Sequence, residues 1–178
     1  MASDESDQRL TAIYNARRAG NSKELLRALR DPEFRDYAAR SLAHIGDRSA
    51  APAIAVLLDA NDWRARVGAV RALGELQASE FIPRLVSLIE SDPENVVREW
   101  AVAALGQIGD AEVVPVIAQC LGSAEPRMRR AAAFALGEMG GADAANLLRD
   151  AMKRENMWRR GAYRRALRRA RIVAPRSA

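Results

Sequence analysis

Apolar and polar positions along this chain fall into columns that return every 31 or 32 residues. Leu42, Leu73, Leu105, Leu136 and Leu167 share one column. Ala38, Ala69, Ala101 and Ala132 stand four residues before the first four of these, and Ile45, Leu76, Ile108 and Met139 three residues after. Steps of three and four place each set on one face of a helix. Gly46, Gln77, Gly109 and Gly140 follow directly, where a helix often closes in the left-handed conformation. A second, shorter helix is predicted to start around Pro52, Pro83 and Pro115, because a first-turn residue has no use for its N–H. Its buried column reads Leu57, Leu88, Cys120 and Ala151, with Ile54, Leu85, Ile117 and Leu148 one turn earlier. Gly74, Gly106 and Gly137 are expected to let neighbouring helices come close. One such helical pair cannot cover its own apolar face, so the units must stack.

The ends depart from the pattern. Ser3 or Asp4 is expected to cap a helix running to about Arg18, with Leu10, Ile13, Tyr14 and Arg17 at helical spacing. Gly20 and Asn21 break it, and Lys23 to Leu29 reads as a second helix with Leu26 in the column of Leu57. Turns are predicted at Asp31-Pro32, Asn61-Asp62, Asp92-Pro93 and Ala124-Glu125-Pro126, giving about eleven helices. The chain is read as a single repeat domain, residues 1–178. It comprises an N-terminal cap over 1–30, four repeats over 31–155, a C-terminal capping helix over 156–171 and a tail over 172–178.

The stretch VREWAVAALGQIGDAEVVP, Val97 to Pro115, carries the recurring motif nearly whole. With its copies from Arg30 to Arg171 it resembles the HEAT-repeat family, in the short bacterial form also found in phycobilisome-lyase-like proteins. That resemblance implies an all-α fold, a right-handed α-solenoid of stacked HEAT-like helical hairpins. It also implies a structural role for the ladder Arg35, Arg66, Arg98, Arg129 and Arg160, each arginine reaching an aspartate of the turn between helices, here Asp47 and Asp110. The concave face of such a solenoid is formed by the outward positions of the second helices. Candidate binding residues there are Val56, Asp59, Val86, Ser87, Glu90, Gln119, Arg149 and Lys153. These positions change character between repeats while the core columns do not, which suits a protein or peptide partner.

Chemistry-bearing residues are sparse. Cys120 is the only cysteine, which excludes an internal disulfide framework, fits a reducing cytosol and, in a buried column, is not expected to act as a nucleophile. His44 is the only histidine and is expected near a helix end; alone it makes no metal site. No phosphate loop, nucleophile elbow or paired-carboxylate motif is present, so no catalytic residue, metal or cofactor is expected. Trp100 is expected to pack between helices, whereas Trp63 and Trp158 lie near turns, where an exposed aromatic can anchor a partner. The N-terminus lacks a basic and then apolar leader pattern, and no apolar run reaches the ~18 residues of a membrane span. A soluble cytoplasmic location is the expectation.

Charge changes the picture at one end. Residues 149–178 hold eleven basic side chains against two acidic ones, a net of +9, whereas the preceding 148 residues carry −4. Arg164-Arg165 and Arg168-Arg169 recur four apart and make one cationic helix face, and Arg159 is a further candidate anion-binding residue. That face reads either as the solvated cap of the stack or as a site for an anion, which arginine favours over lysine. The leading functional reading is a non-catalytic interaction or adaptor module with a protein or peptide on its concave face. The alternative is binding of nucleic acid or another polyanion through the arginine-rich helix. A second alternative, implied by the resemblance, is a lyase-like enzyme subunit.

Overall fold

The computed structural model describes residues 2–155 and 160–172. Among these it contains α-helices, short 3-10 segments and turns, with no strand. Two compact units divide at Ala78/Ser79.

Unit 1 holds α1 (Ala2–Arg18), α2 (Ser22–Ala28), α3 (Arg35–His44), α4 (Ala51–Ala55) with a 3-10 continuation over Val56–Asp59, and α5 (Trp63–Glu75). α1 pairs with α2, α2 with α3, and α3 lies along α5. Unit 2 holds α6 (Ile82–Ser91), α7 (Asn95–Ile108), α8 (Val114–Cys120), α9 (Pro126–Met139), α10 (Gly141–Arg154) and α11 (Arg160–Ile172). Here α7 lies along α9 and α9 along α11, while α6 and α8 pack on α7, α8 and α10 on α9, and α10 on α11. Each unit is thus a run of helical hairpins in an all-α solenoid fold.

The buried columns are those of the repeat. Ala38, Leu42, Ala69, Leu73, Ala101, Leu105, Ala132 and Leu136 are fully buried, as are Ile54, Leu85, Ile117 and Leu148. All four helix-ending positions have positive φ, Gly46 at 75°, Gln77 at 52°, Gly109 at 77° and Gly140 at 73°, although Gly140, with ψ −167°, lies outside the left-handed helical well that Gly109 occupies. Gln77 therefore occupies a conformation that side chains with a Cβ disfavour. Pro52, Pro83 and Pro115 lie in the first turns of α4, α6 and α8, as the spacing predicts.

Several local details differ from the sequence reading, and Ile45 and Leu88, placed in the apolar columns, are only half-buried. α1 starts at Ala2, ahead of the Ser3 or Asp4 expected to cap it. In α2 the buried residue is Leu25, with Leu29 one turn on, while Leu26 is half-buried. The helix begins at Ser22 with Asn21 accepting from the Glu24 N–H at 3.2 Å, which turns its apolar face by one residue. On α11, Tyr163, Ala166 and Ala170 are buried and Leu167 only half so. Leu136 and its equivalents lie between a first helix and the second helix that follows, and no described helix follows α11.

The arginine ladder is structural by a different route from the expected one. The Arg66 guanidinium donates to the Ala60 and Asn61 carbonyls at 2.8 and 3.1 Å. Arg98 donates to the Asp92 carbonyl at 2.7 Å, Arg129 to those of Ser123 and Ala124 at 2.7 and 2.9 Å, and Arg160 to that of Glu155 at 2.9 Å. These carbonyls lie just past the end of a second helix, where orphan acceptors collect. Asp47 and Asp110 instead accept from the N–H groups of Ser49 and Glu112, capping the next 3-10 turn at 3.1 and 2.8 Å. α5, α7, α9 and α11 thus each fasten the turn that precedes them, whereas the buried Arg35 Nε of α3 has no hydrogen-bond partner among the described residues.

Candidate functional site

The second-helix residues proposed as a binding face are mostly solvent-facing. In unit 1, Val56 and Asp59 are exposed on the 3-10 segment after α4, Val56 at 68%. In unit 2, Ser87 and Glu90 on α6, Gln119 on α8, and Arg149 and Lys153 on α10 are exposed, with Val86 half-buried. Lys153 pairs with Asp150 at 2.7 Å, and Arg149 donates to the Asn146 side chain. A cleft of about 670 Å³ opens between α8 and α10; Gln119, Asp150 and Arg154 line it. The first helices of the same unit, by contrast, pack along one another. The cause is side-chain size: a Cβ added to Gly106 would lie 2.5 Å from Ala135 Cα, and one on Gly137 would lie 3.0 Å from Ala166 Cα.

The cationic residues of α11 divide. Arg164, Arg165, Arg168 and Arg169 are all exposed, whereas Arg159, like Trp158, lies outside the described residues. The Arg169 guanidinium is tied to the Glu138 carboxylate of α9 at 2.5 and 2.8 Å. Arg165, Arg168 and Arg169 border a groove of about 780 Å³ whose other wall is α9, through Arg130 and Phe134. Arg164 is not part of that lining. A second hollow of about 530 Å³ adjoins the groove and shares Arg130, Ala162 and Arg165 with it. It reaches Arg127 and the Arg129–Glu155 ion pair, whose atoms are 2.6 Å apart and largely shielded from water. Beside that pair lies Tyr163, whose hydroxyl is pushed up from its ordinary range by burial first and by the Glu155 charge second.

Sequence reasoning missed Phe134 and Arg130. The signal was present: the column reads Arg40, Arg71, Ala103, Phe134, Arg165, so that one aromatic shares its position with three arginines. Phe134 is 47% exposed, an unusual state for so large an apolar side chain.

The remaining candidates separate cleanly. His44 is exposed in the last turn of α3. Trp63 is half-buried under the Arg64 guanidinium, 4.7 Å from its ring centre, and Trp100 is half-buried on α7. Cys120 is buried at the end of α8, and burial raises its thiol above the ordinary value. The thiolate is the reactive form, so a raised value leaves less of it at any pH below the titration. A maleimide should therefore label Cys120 slowly in native protein at neutral pH and quickly in denaturant, with the native rate climbing only as the solution becomes strongly alkaline. Rapid native labelling at neutral pH would place the thiol at the surface.

A sequence model of HEAT repeats matches residues 22–106 and 82–168. The alpha subunit of phycocyanobilin lyase from Nostoc sp. strain PCC 7120 is 28% identical over 117 residues, which are 60% of this chain and 42% of that protein. The chain thus spans less than half the length of that relative. An engineered protein of known crystal structure aligns with a TM-score of 0.59 at 22% identity, over 91% of this chain and 84% of its own. At that identity the likeness is one of fold.

Proposed function

Since the chain belongs to the HEAT-repeat family, we propose that it is a non-catalytic scaffold holding a protein or peptide on the exposed face of its second helices. The observation that supports this reading is the contrast between inside and outside. The same apolar side chains recur in the core, while the exposed second-helix positions pass from Ser87 and Glu90 through Gln119 to Arg149 and Lys153. A framework that repeats and a surface that does not can present a different contact at each step, as an extended polypeptide ligand requires. The α8–α10 cleft offers room for side chains of such a ligand.

The test is capture from nuclease-treated lysate of the native organism, followed by rebinding of the recovered polypeptide in purified form. Changing Ser87, Glu90, Gln119 and Arg149 to residues of altered charge should abolish that rebinding and leave helicity intact. Loss of all capture on nuclease treatment, or rebinding indifferent to all four changes, would overturn the reading.

A second reading, a polyanion on α11, is favoured by one observation. Arg164, Arg165 and Arg168 are exposed and have no carboxylate partner among the described residues. Binding of this kind should weaken steeply with salt, because counterions are released from the polyanion.

A further inference from the structure

We infer that the groove between α9 and α11 is a docking site for an acidic peptide segment that carries an apolar anchor residue, seated on Phe134 and flanked by guanidinium groups. The inference rests on the scaffold reading above and adds to it a second site, a place and a ligand chemistry. Four arginines, Arg127, Arg130, Arg165 and Arg168, border the groove and the hollow that continues it. None of the four has a carboxylate partner among the described residues. The two carboxylates nearby are already engaged, Glu138 by Arg169 and Glu155 by Arg129. The groove therefore has excess positive charge that nothing described in the protein neutralises.

Its floor is of the opposite character. Phe134 is half-exposed, and Ala162 and Ala166 lie beside it with side chains too small to cover it. An apolar floor ringed by forked cations matches a ligand that places carboxylates around a Leu- or Phe-sized side chain. The charge distribution favours a short segment over a long polyanion. Within unit 2, residues 79–148 carry five basic and ten acidic side chains, so the positive field is confined to the α9–α11 end. A nucleic acid strand extending beyond the groove would leave that field, whereas a peptide of a few residues stays inside it.

The experiment is fluorescence anisotropy on the full chain with a labelled peptide rich in Glu and Leu. Poly-glutamate and oligo(dT) serve as competitors. Arg130→Gln with Arg165→Gln should weaken peptide binding by roughly tenfold or more, the loss of two charge-assisted hydrogen bonds. Phe134→Ala should weaken it by roughly fivefold through lost apolar burial. Each of these side chains is solvent-facing, so circular dichroism should show the variants folded. Poly-glutamate, lacking an anchor, should compete poorly. Peptide binding indifferent to Phe134→Ala, or displaced as well by poly-glutamate as by unlabelled peptide, would overturn the anchor. Tighter binding of oligo(dT) than of peptide would overturn the proposal in favour of nucleic acid. The partner test on the second helices is separate: a partner held there keeps its affinity in the groove variants, so either reading can fail without the other.

Discussion

Leu105→Ala should lower the free energy of unfolding by about 2–5 kcal/mol, the range for truncating a fully buried leucine. Leu105 is completely buried on α7, which packs against α6, α8 and α9. For a chain of this length each kcal/mol corresponds to about 2–4 °C in Tm, so a fall of roughly 5–20 °C is expected. In a stack, stability is shared between adjoining repeats, so hydrogen exchange should also quicken in the helices against α7. Scanning calorimetry with an unchanged Tm would show that Leu105 lies outside the shared core.

Gly106→Ala should also destabilise, although the same exchange stabilises an ordinary helix interior by about 1 kcal/mol. The new methyl carbon would lie 2.5 Å from both Ala135 Cα and Ala135 Cβ, and 2.9 Å from the Ala135 carbonyl oxygen. Two of these are backbone atoms of α9, which cannot rotate away, so α7 and α9 must separate. Overpacking of this kind costs about 1–3 kcal/mol, occasionally more, and a backbone obstacle puts Gly106 at the upper end. Urea unfolding should show a net loss that grows from Gly106→Ala to Gly106→Val. A gain in stability with alanine would mean that the helices do not meet at this point.

The repeat made most of this fold legible. Buried columns depend on period alone, and period survives translation into structure because each unit meets the same neighbours. Even Gln77, which lacks the glycine of its equivalents, takes the left-handed position that the column dictates. What could not be read depends on atoms outside the repeat pattern. The ladder arginines of α5, α7, α9 and α11 find carbonyls of the preceding turn, and a carbonyl has no sequence signature. The Leu25 face of α2 is set by where Asn21 starts the helix, a shift of one residue that column alignment across a divergent end cannot show. The arginine cluster was visible as charge. Its division was not, because neutralisation of Arg169 requires Glu138, 31 residues away on the adjacent helix. Phe134 shares a column with arginines, but its exposure depends on the small side chains of Ala162 and Ala166 on α11, which the column alone does not show.

The glycine column carries a consequence for self-association. Gly106 and Gly137 let the next first helix approach until backbones nearly touch, and the corresponding residue on α11 is Arg168. A helix from another copy of this chain, arriving on α11 in the same register, would meet a guanidinium where the column otherwise has a hydrogen atom. It would also have to bury Arg164 and Arg168 without counter-charges, which is strongly unfavourable. Head-to-tail addition of copies generates open filaments wherever the rotation from copy to copy does not close a ring. Two arginines on α11 would thus oppose stacking of a further copy on that face, in the way that charged edge residues keep β-sheets from recruiting further strands.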